Sequence, residues 1–225
     1  MPCTYFPVAV LQNGIKLTNE APKGIKANII GSLSQLTEEK LNGCKRDAEY
    51  RTLLYSVCFF HAVIQERRKF GPLGWNIRYE FNESDFETAT TIMKGMLNED
   101  SDEIVWKALQ QVTGDIVYGG RVTDDIDRRT LMSILSTFLD EDVITEGYKY
   151  SQSGVYIPVQ PSETSLEGLL KKAKNLPDVD NPEIFGMNDN ADIAFQLQES
   201  LSMIEIILSV QPRTSGSGAS GKNPD

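Results

Sequence analysis

The chain is poor in the residues that carry chemistry. Its 225 residues include one histidine, His61, and three cysteines, Cys3, Cys44 and Cys58. One imidazole excludes a histidine-rich metal centre, and an odd set of thiols without ligand spacing supplies neither a zinc site nor a disulfide framework. Free thiols of this kind fit a reducing compartment. The chain has no GxxxxGK[ST], and no GxGxxG follows a strand-like run, so the common phosphate-cradling motifs are missing. An excess of positive charge is missing too. With 32 acidic against 22 basic residues the net charge is -10, the wrong balance for a protein that neutralises nucleic-acid phosphates or anionic lipid. No uninterrupted apolar run approaches the roughly 18 residues of a bilayer span. The first residues, MPCTYFPVAV, lack the basic flank and apolar core of a secretory signal. These absences predict a soluble, intracellular protein with no nucleic-acid and no membrane partner.

What is present is helix-forming sequence, with a hydrophobic fraction of 40% that can fill a core. The opening FPVAVLQNGIKLTNEAPKG is broken by Pro7, Gly14, Pro22 and Gly24 and reads as an extended lead-in with a turn at Asn13-Gly14. Ile25, Ile29, Ile30 and Leu33 then fall at helical spacing, with Pro22 near the first turn. From Asp47 to Phe70 a broad stripe of Tyr50, Leu53, Leu54, Val57, Cys58, Phe60, His61 and Ile64 predicts a central helix. Arg67, Arg68 and Lys69 sit at its C-terminal end, where cations complement the dipole, and Gly71-Pro72 stop it. Asn82 or Ser84 can cap a helix that carries Glu83, Asp85 and Glu87 in its first turn and runs to about Glu99. Another helix holds Ile104, Val105, Trp106, Leu109 and Val112, with Gly114 as its expected stop. A further one follows a cap at Thr123 or Asp124 and places Ile126, Leu131, Ile134, Leu135 and Phe138 on one side.

After Phe138 the texture changes. EDVITEGYKYSQSGVYIPVQPSE mixes Gly, Pro, Tyr and Val in short alternations and predicts a short β-hairpin or extended arm. LEGLLKKAKNL reads as a short helix closed by Pro177, and a last helix presents Ile193, Leu197, Leu201, Ile204, Ile207 and Leu208 on one side. RTSGSGASGKNPD has almost nothing to bury and reads equally as a flexible tail or as a cloning remnant. The fold class is mainly α, a multi-helix bundle followed by a smaller α-rich segment.

Four features could carry function, and each has a plainer structural reading. His61 titrates near neutral pH in most settings, but in FFHAVI it is flanked by core residues with no nucleophile at useful spacing, so a packed, hydrogen-bonded role is preferred. Tyr118-Gly119-Gly120-Arg121 before a helix could hold a phosphate on backbone N–H groups. A corner in which Arg121 pairs with Asp124, Asp125 or Asp127 is the simpler account. Those acids, in DDIDRR, carry their own arginines and lack the spaced ligands of a calcium loop. QERRKF reads as a solvated helix end or an intramolecular clamp, and Trp75, Tyr79 and Phe81 as plugs in a helix seam rather than base-stacking platforms. No catalytic, cofactor-binding or metal-ligating residue is assigned.

The segment GPLGWNIRYEFNESDF resembles the dynein heavy chain. So do FPVAVLQNGIKLTNEAPKGIKANI before it, HAVIQERRKFGPLGWN through it, and YGGRVTDDIDRR, PEIFG and NADI after it, in the family's order over essentially the whole chain. Arg78, Ile126 and Asn188 depart from the family's commoner residues. The resemblance implies that residues 1–138 are the helical lid associated with the sixth AAA module of the motor ring. Residues 139–212 would then begin the C-terminal region, and 213–225 would be a Gly/Ser-rich tail of the kind family members carry there. The GPLGWN wording resembles axonemal heavy chains, which implies cilia or flagella. Such chains are ATP-driven, minus-end-directed microtubule motors. Their ATP and Mg sites lie in earlier modules and their microtubule contacts on a separate stalk, so this stretch is expected to need no cofactor. Expected partners are the rest of the motor ring and the C-terminal region, with dynein intermediate and light chains and microtubules engaged by the parent complex. The alternative is an autonomous helical adaptor that binds a protein through the basic turn and apolar grooves.

Overall fold

The structure, a computed structural model, describes residues 23–99, 103–160 and 163–210. The lead-in with its Asn13-Gly14 turn and the Gly/Ser tail lie outside the described residues. Eight α-helices are described: α1 (Ile25–Ser34), α2 (Glu38–Leu41), α3 (Asp47–Glu66), α4 (Glu83–Leu97), α5 (Trp106–Gln111), α6 (Asp125–Phe138), α7 (Leu166–Lys174) and α8 (Asp189–Val210). Short 3-10 turns occupy Arg67–Leu73, Gly119–Arg121, Glu141–Ile144 and Pro182–Phe185.

Helix α3 is the axis of the molecule. Tyr50 and every residue from Thr52 to Ile64 are buried, so α3 is covered on all sides rather than along one stripe. Helices α1, α4 and α6 and the 3-10 turns at 141–144 and 182–185 pack around it, while α1 also packs on α7. Phe59 lies 5.5 Å from Phe138 in a stacked pair and meets Tyr150 and Tyr156 at 5.3 and 5.8 Å. On another side Phe60 meets Tyr118 edge-on at 5.1 Å. Aromatic pairs at these separations add packing energy beyond the area they remove from water.

The helix starts follow the local chemistry of the sequence. Asn82 and Asp85 form a capping box on α4, with Asn82 N–H donating to Asp85 Oδ2 at 2.8 Å. Asp124 caps α6 by accepting from the N–H groups of Ile126 and Asp127 at 2.9 and 3.0 Å. Two expectations are corrected. Gly114 does not stop its helix: the chain continues as a π-helix over Val112–Tyr118. The missing side chain there serves packing, because a Cβ would lie 2.2 Å from Met132 Sδ and 2.8 Å from a Leu135 methyl on α6. The β-hairpin expected after Phe138 is also absent. Among the described residues no strand forms, and the segment is a loop closed by one bond from Tyr150 N–H to the Tyr156 carbonyl, 2.9 Å. Its alternating tyrosines spend their rings on α3 instead of on a partner strand. The Tyr150 hydroxyl also meets Ser56 Oγ at 2.5 Å.

Candidate functional site

His61, Arg67, Trp75, Tyr79 and Phe81 are drawn into the scaffold, while Arg68, Arg121 and Asp125 are exposed. His61 is fully buried, and its Nδ1 lies 3.1 Å from the Tyr118 hydroxyl. The two groups share one hydrogen bond, and the other ring nitrogen, Nε2, is buried with no hydrogen-bond partner. Burial lowers the His61 pKa to about 4 against the pull of Asp85, so the imidazole is neutral at pH 7. Cys58 is buried beneath α1 and burial pushes its thiol far above the usual range, which makes it inert. No group of three or more His, Cys, Asp or Glu among the described residues is arranged to hold a metal ion.

At Tyr118-Gly119-Gly120-Arg121 the expected pairing is corrected. Arg121 reaches back to Asp85, Nε to Oδ1 at 2.9 Å, rather than to Asp124, Asp125 or Asp127. Asp85 is the better partner because the α4 capping box already fixes it, whereas Asp124 is spent on its own helix and Asp127 accepts from the N–H groups of Asn76 and Ile77. The turn presents the carbonyls of Gly119 and Val122 to the Arg128 guanidinium at 3.5 and 3.2 Å. Facing acceptors toward a cation is the opposite of an anion cradle.

The basic turn and the aromatic corner form one clamp. The Trp75 indole N–H donates to the Ile64 carbonyl at 3.1 Å, satisfying a C-terminal acceptor of α3. Trp75 packs on Tyr79 and Phe81 at 5.9 and 5.8 Å, and Phe81 on Tyr118 at 6.0 Å. Arg67 is buried under this corner, donates to the carbonyls of Gly74 and Phe185, and stacks 5.3 Å from the Trp75 ring. Burial brings its pKa down to about 10 with Asp127 opposing, so it stays charged at neutral pH. Lys69 faces inward as well, against Phe70, Phe185, Phe195 and Asp180.

Helix α8 packs against the turns at 67–73 and 182–185, but Ala191 is its one buried residue. Nine large apolar side chains, Ile193, Leu197, Leu201, Met203, Ile204, Ile206, Ile207, Leu208 and Val210, are each more than half exposed. Ile193, Leu197, Leu201, Ile204, Ile207 and Leu208 form the stripe read from the sequence, while Met203, Ile206 and Val210 lie off it, so the last turns are apolar nearly all round, and a helix of that kind is ordinarily buried. Scanning for an uninterrupted apolar run misses α8 because Asp192, Glu199 and Glu205 punctuate it. By length and composition alone it is nonetheless long and apolar enough to cross a bilayer, which corrects the expectation that no such segment exists. Leu197, Leu201, Ile204 and Leu208 follow the alternating four- and three-residue spacing of a helix-pairing seam. What the arrangement offers is a docking surface, not a reaction centre.

The family model for the "Dynein heavy chain AAA lid domain" matches residues 50–191. The chain is 48% identical to human dynein axonemal heavy chain 6 over 229 aligned residues, which cover 100% of this chain and 5% of that protein. It is 45% identical to human dynein axonemal heavy chain 1, covering 99% of this chain and 5% of the relative. Mouse dynein axonemal heavy chain 3 is 43% identical, again over 99% of this chain and 5% of the relative. The chain thus spans 5% of the length of these curated relatives.

Proposed function

The chain belongs to the dynein heavy-chain family, and on that premise we propose that it is a non-catalytic structural and mechanical part of an axonemal dynein heavy chain. In this reading residues 1–138 are the lid associated with the sixth AAA module, 139–212 begin the C-terminal region that lies against the ring, and 213–225 form the tail. The chain braces or transmits conformational change between those parts, and hydrolysis of ATP with Mg happens elsewhere in the motor. The whole protein moves on microtubules in a cilium or flagellum. Its immediate partners are the rest of the motor ring and the C-terminal region. Intermediate and light chains and microtubules engage the parent complex beyond this stretch.

The observation that carries the reading is α8. Soluble monomers rarely expose a contiguous apolar face of this extent. A stretch of a longer chain bares such a face wherever its neighbouring segments are missing, whereas an autonomous adaptor closes its surface except for one groove. Sedimentation velocity tests the difference. The isolated chain self-associates with rising concentration and brightens a hydrophobic dye, and a variant carrying Leu197→Glu, Leu201→Glu and Ile204→Glu loses both behaviours. A dye-silent monomer at all concentrations would count against the reading. In a phosphate-release assay the chain has no ATPase activity, and it does not cosediment strongly with microtubules; turnover above background contradicts the non-catalytic assignment.

A further inference from the structure

Lys69 sits where three separate pieces of the fold meet α8. Its ammonium lies 4.6 Å from the ring centre of Phe185, 5.1 Å from that of Phe70 and 5.6 Å from that of Phe195, the last being a residue of α8. Phe70 in turn meets Phe185 and Phe195 edge-on at 5.2 and 5.8 Å. Opposite the rings, Asp180 Oδ2 lies 3.4 Å from Lys69 Nζ in an ion pair whose acid is almost wholly buried. The same carboxylate accepts from Ile25 N–H with both oxygens at 3.2 Å, at the first turn of α1. An acid there is favoured by the helix dipole, and Lys69 is the cation that helps hold Asp180 over that turn. The ring faces attract the cation, more strongly because the site is partly dry.

We propose that Lys69 is a latch: its charge holds the N-terminal turns of α8 against the body through Phe195, and the same charge holds Asp180 at the start of α1. Two features of the fold make the latch consequential. First, α8 has little else to hold it, since beyond Ala191 and the half-buried Phe195 its apolar residues face outward. Second, the carboxylate that Lys69 holds meets the first turn of α1, so one side chain touches two separate helices. Released, the N-terminal turns of α8 lose their packing on the body and fray, because an unpacked helix end is only marginally stable in water. Latched, α8 projects from the body at one angle. A device of this kind is biased by anything that removes the charge from Lys69, and its side chain retains about a fifth of its exposure, 21%. The inference depends on the ring-and-carboxylate cage and stands whatever α8 docks against.

Hydrogen exchange read by mass spectrometry on the whole chain tests the latch with three variants. In Lys69→Gln, peptides covering 189–198 exchange about tenfold faster and those covering Ile25–Ile29 also speed up, while peptides from α3 keep the wild-type rate. Lys69→Arg restores slow exchange, because a guanidinium satisfies both the rings and the carboxylate. Phe195→Ala frees α8 but leaves Ile25–Ile29 unchanged, since Asp180 keeps its lysine. Unchanged exchange at 189–198 in Lys69→Gln overturns the proposal. So does a loss of protection spread evenly through α3, which would mark Lys69 as a general stabiliser. If Lys69→Gln does not fold, Phe195→Ala decides alone, and unaltered exchange at 189–198 in that variant likewise overturns the latch.

Discussion

Trp75 and His61 show how a single side chain can look functional in sequence and serve the core in the structure. Trp75 is buried, bonded to the end of α3 and packed on two further rings. Replacing it with Ala removes the indole from the seam together with its hydrogen bond to the Ile64 carbonyl, so the loss in unfolding free energy should be about 3 kcal/mol or more. Urea unfolding followed by far-UV circular dichroism measures it, and an unchanged midpoint would refute the seam. For His61 the sign runs with pH. Its pKa falls from the ordinary 6.5 to about 4 on folding, so between those values the unfolded chain binds more protons and stability declines as pH falls. The contribution is full above about pH 6.5 and gone near pH 4, about 3 kcal/mol at most. Burial raises the carboxyl pKa of Glu66 and Glu83 and acts with the opposite sign. The quantity to measure is therefore the difference between wild type and His61→Gln, which should shrink as pH drops from 7 to 4.5. A difference that is constant over that range would contradict the burial argument.

At the scale of elements, much was legible and the misses have definite causes. The spacing of Ile25, Ile29 and Leu33, the acids after Asn82 and the cap at Asp124 each gave a helix close to its observed bounds, because caps and apolar periodicity are local properties. Gly114 was misread as a stop, since its reason for being glycine is the approach of α6 from more than a dozen residues away. The tyrosine-rich loop was misread as a hairpin for the same kind of reason: its rings answer to α3 rather than to a neighbouring strand. Arg121 has three acids nearby in sequence and pairs with a fourth across the fold. The junction between the π-helix and the turn at 119–121 gives a direct check. A Cβ on Gly119 would lie 2.6 Å from the Gly114 carbonyl oxygen, a backbone contact that no side-chain rotation relieves. Gly119→Ala should therefore cost about 1–3 kcal/mol in unfolding free energy, whereas Gly120→Ala, with open space at its Cβ, should cost less than 1 kcal/mol.

For the whole molecule, the sequence tells more about what is missing than about what acts. The sequence carries no phosphate-loop motif, its single histidine is buried, and the family match places the chain with the lid domain of dynein heavy chains. The pattern on α8 was legible as a helix face. That the face has no cover was not, because periodicity says which side is apolar and nothing about whether a neighbour is present. The account's central claim is that α8 is a docking face for other parts of a longer heavy chain. Hydrogen exchange at residues 199–210, compared between this chain alone and a heavy-chain motor that contains it, tests that claim most directly. The account predicts fast exchange in the isolated chain and at least tenfold slower exchange within the motor, and equal rates in the two settings would contradict it.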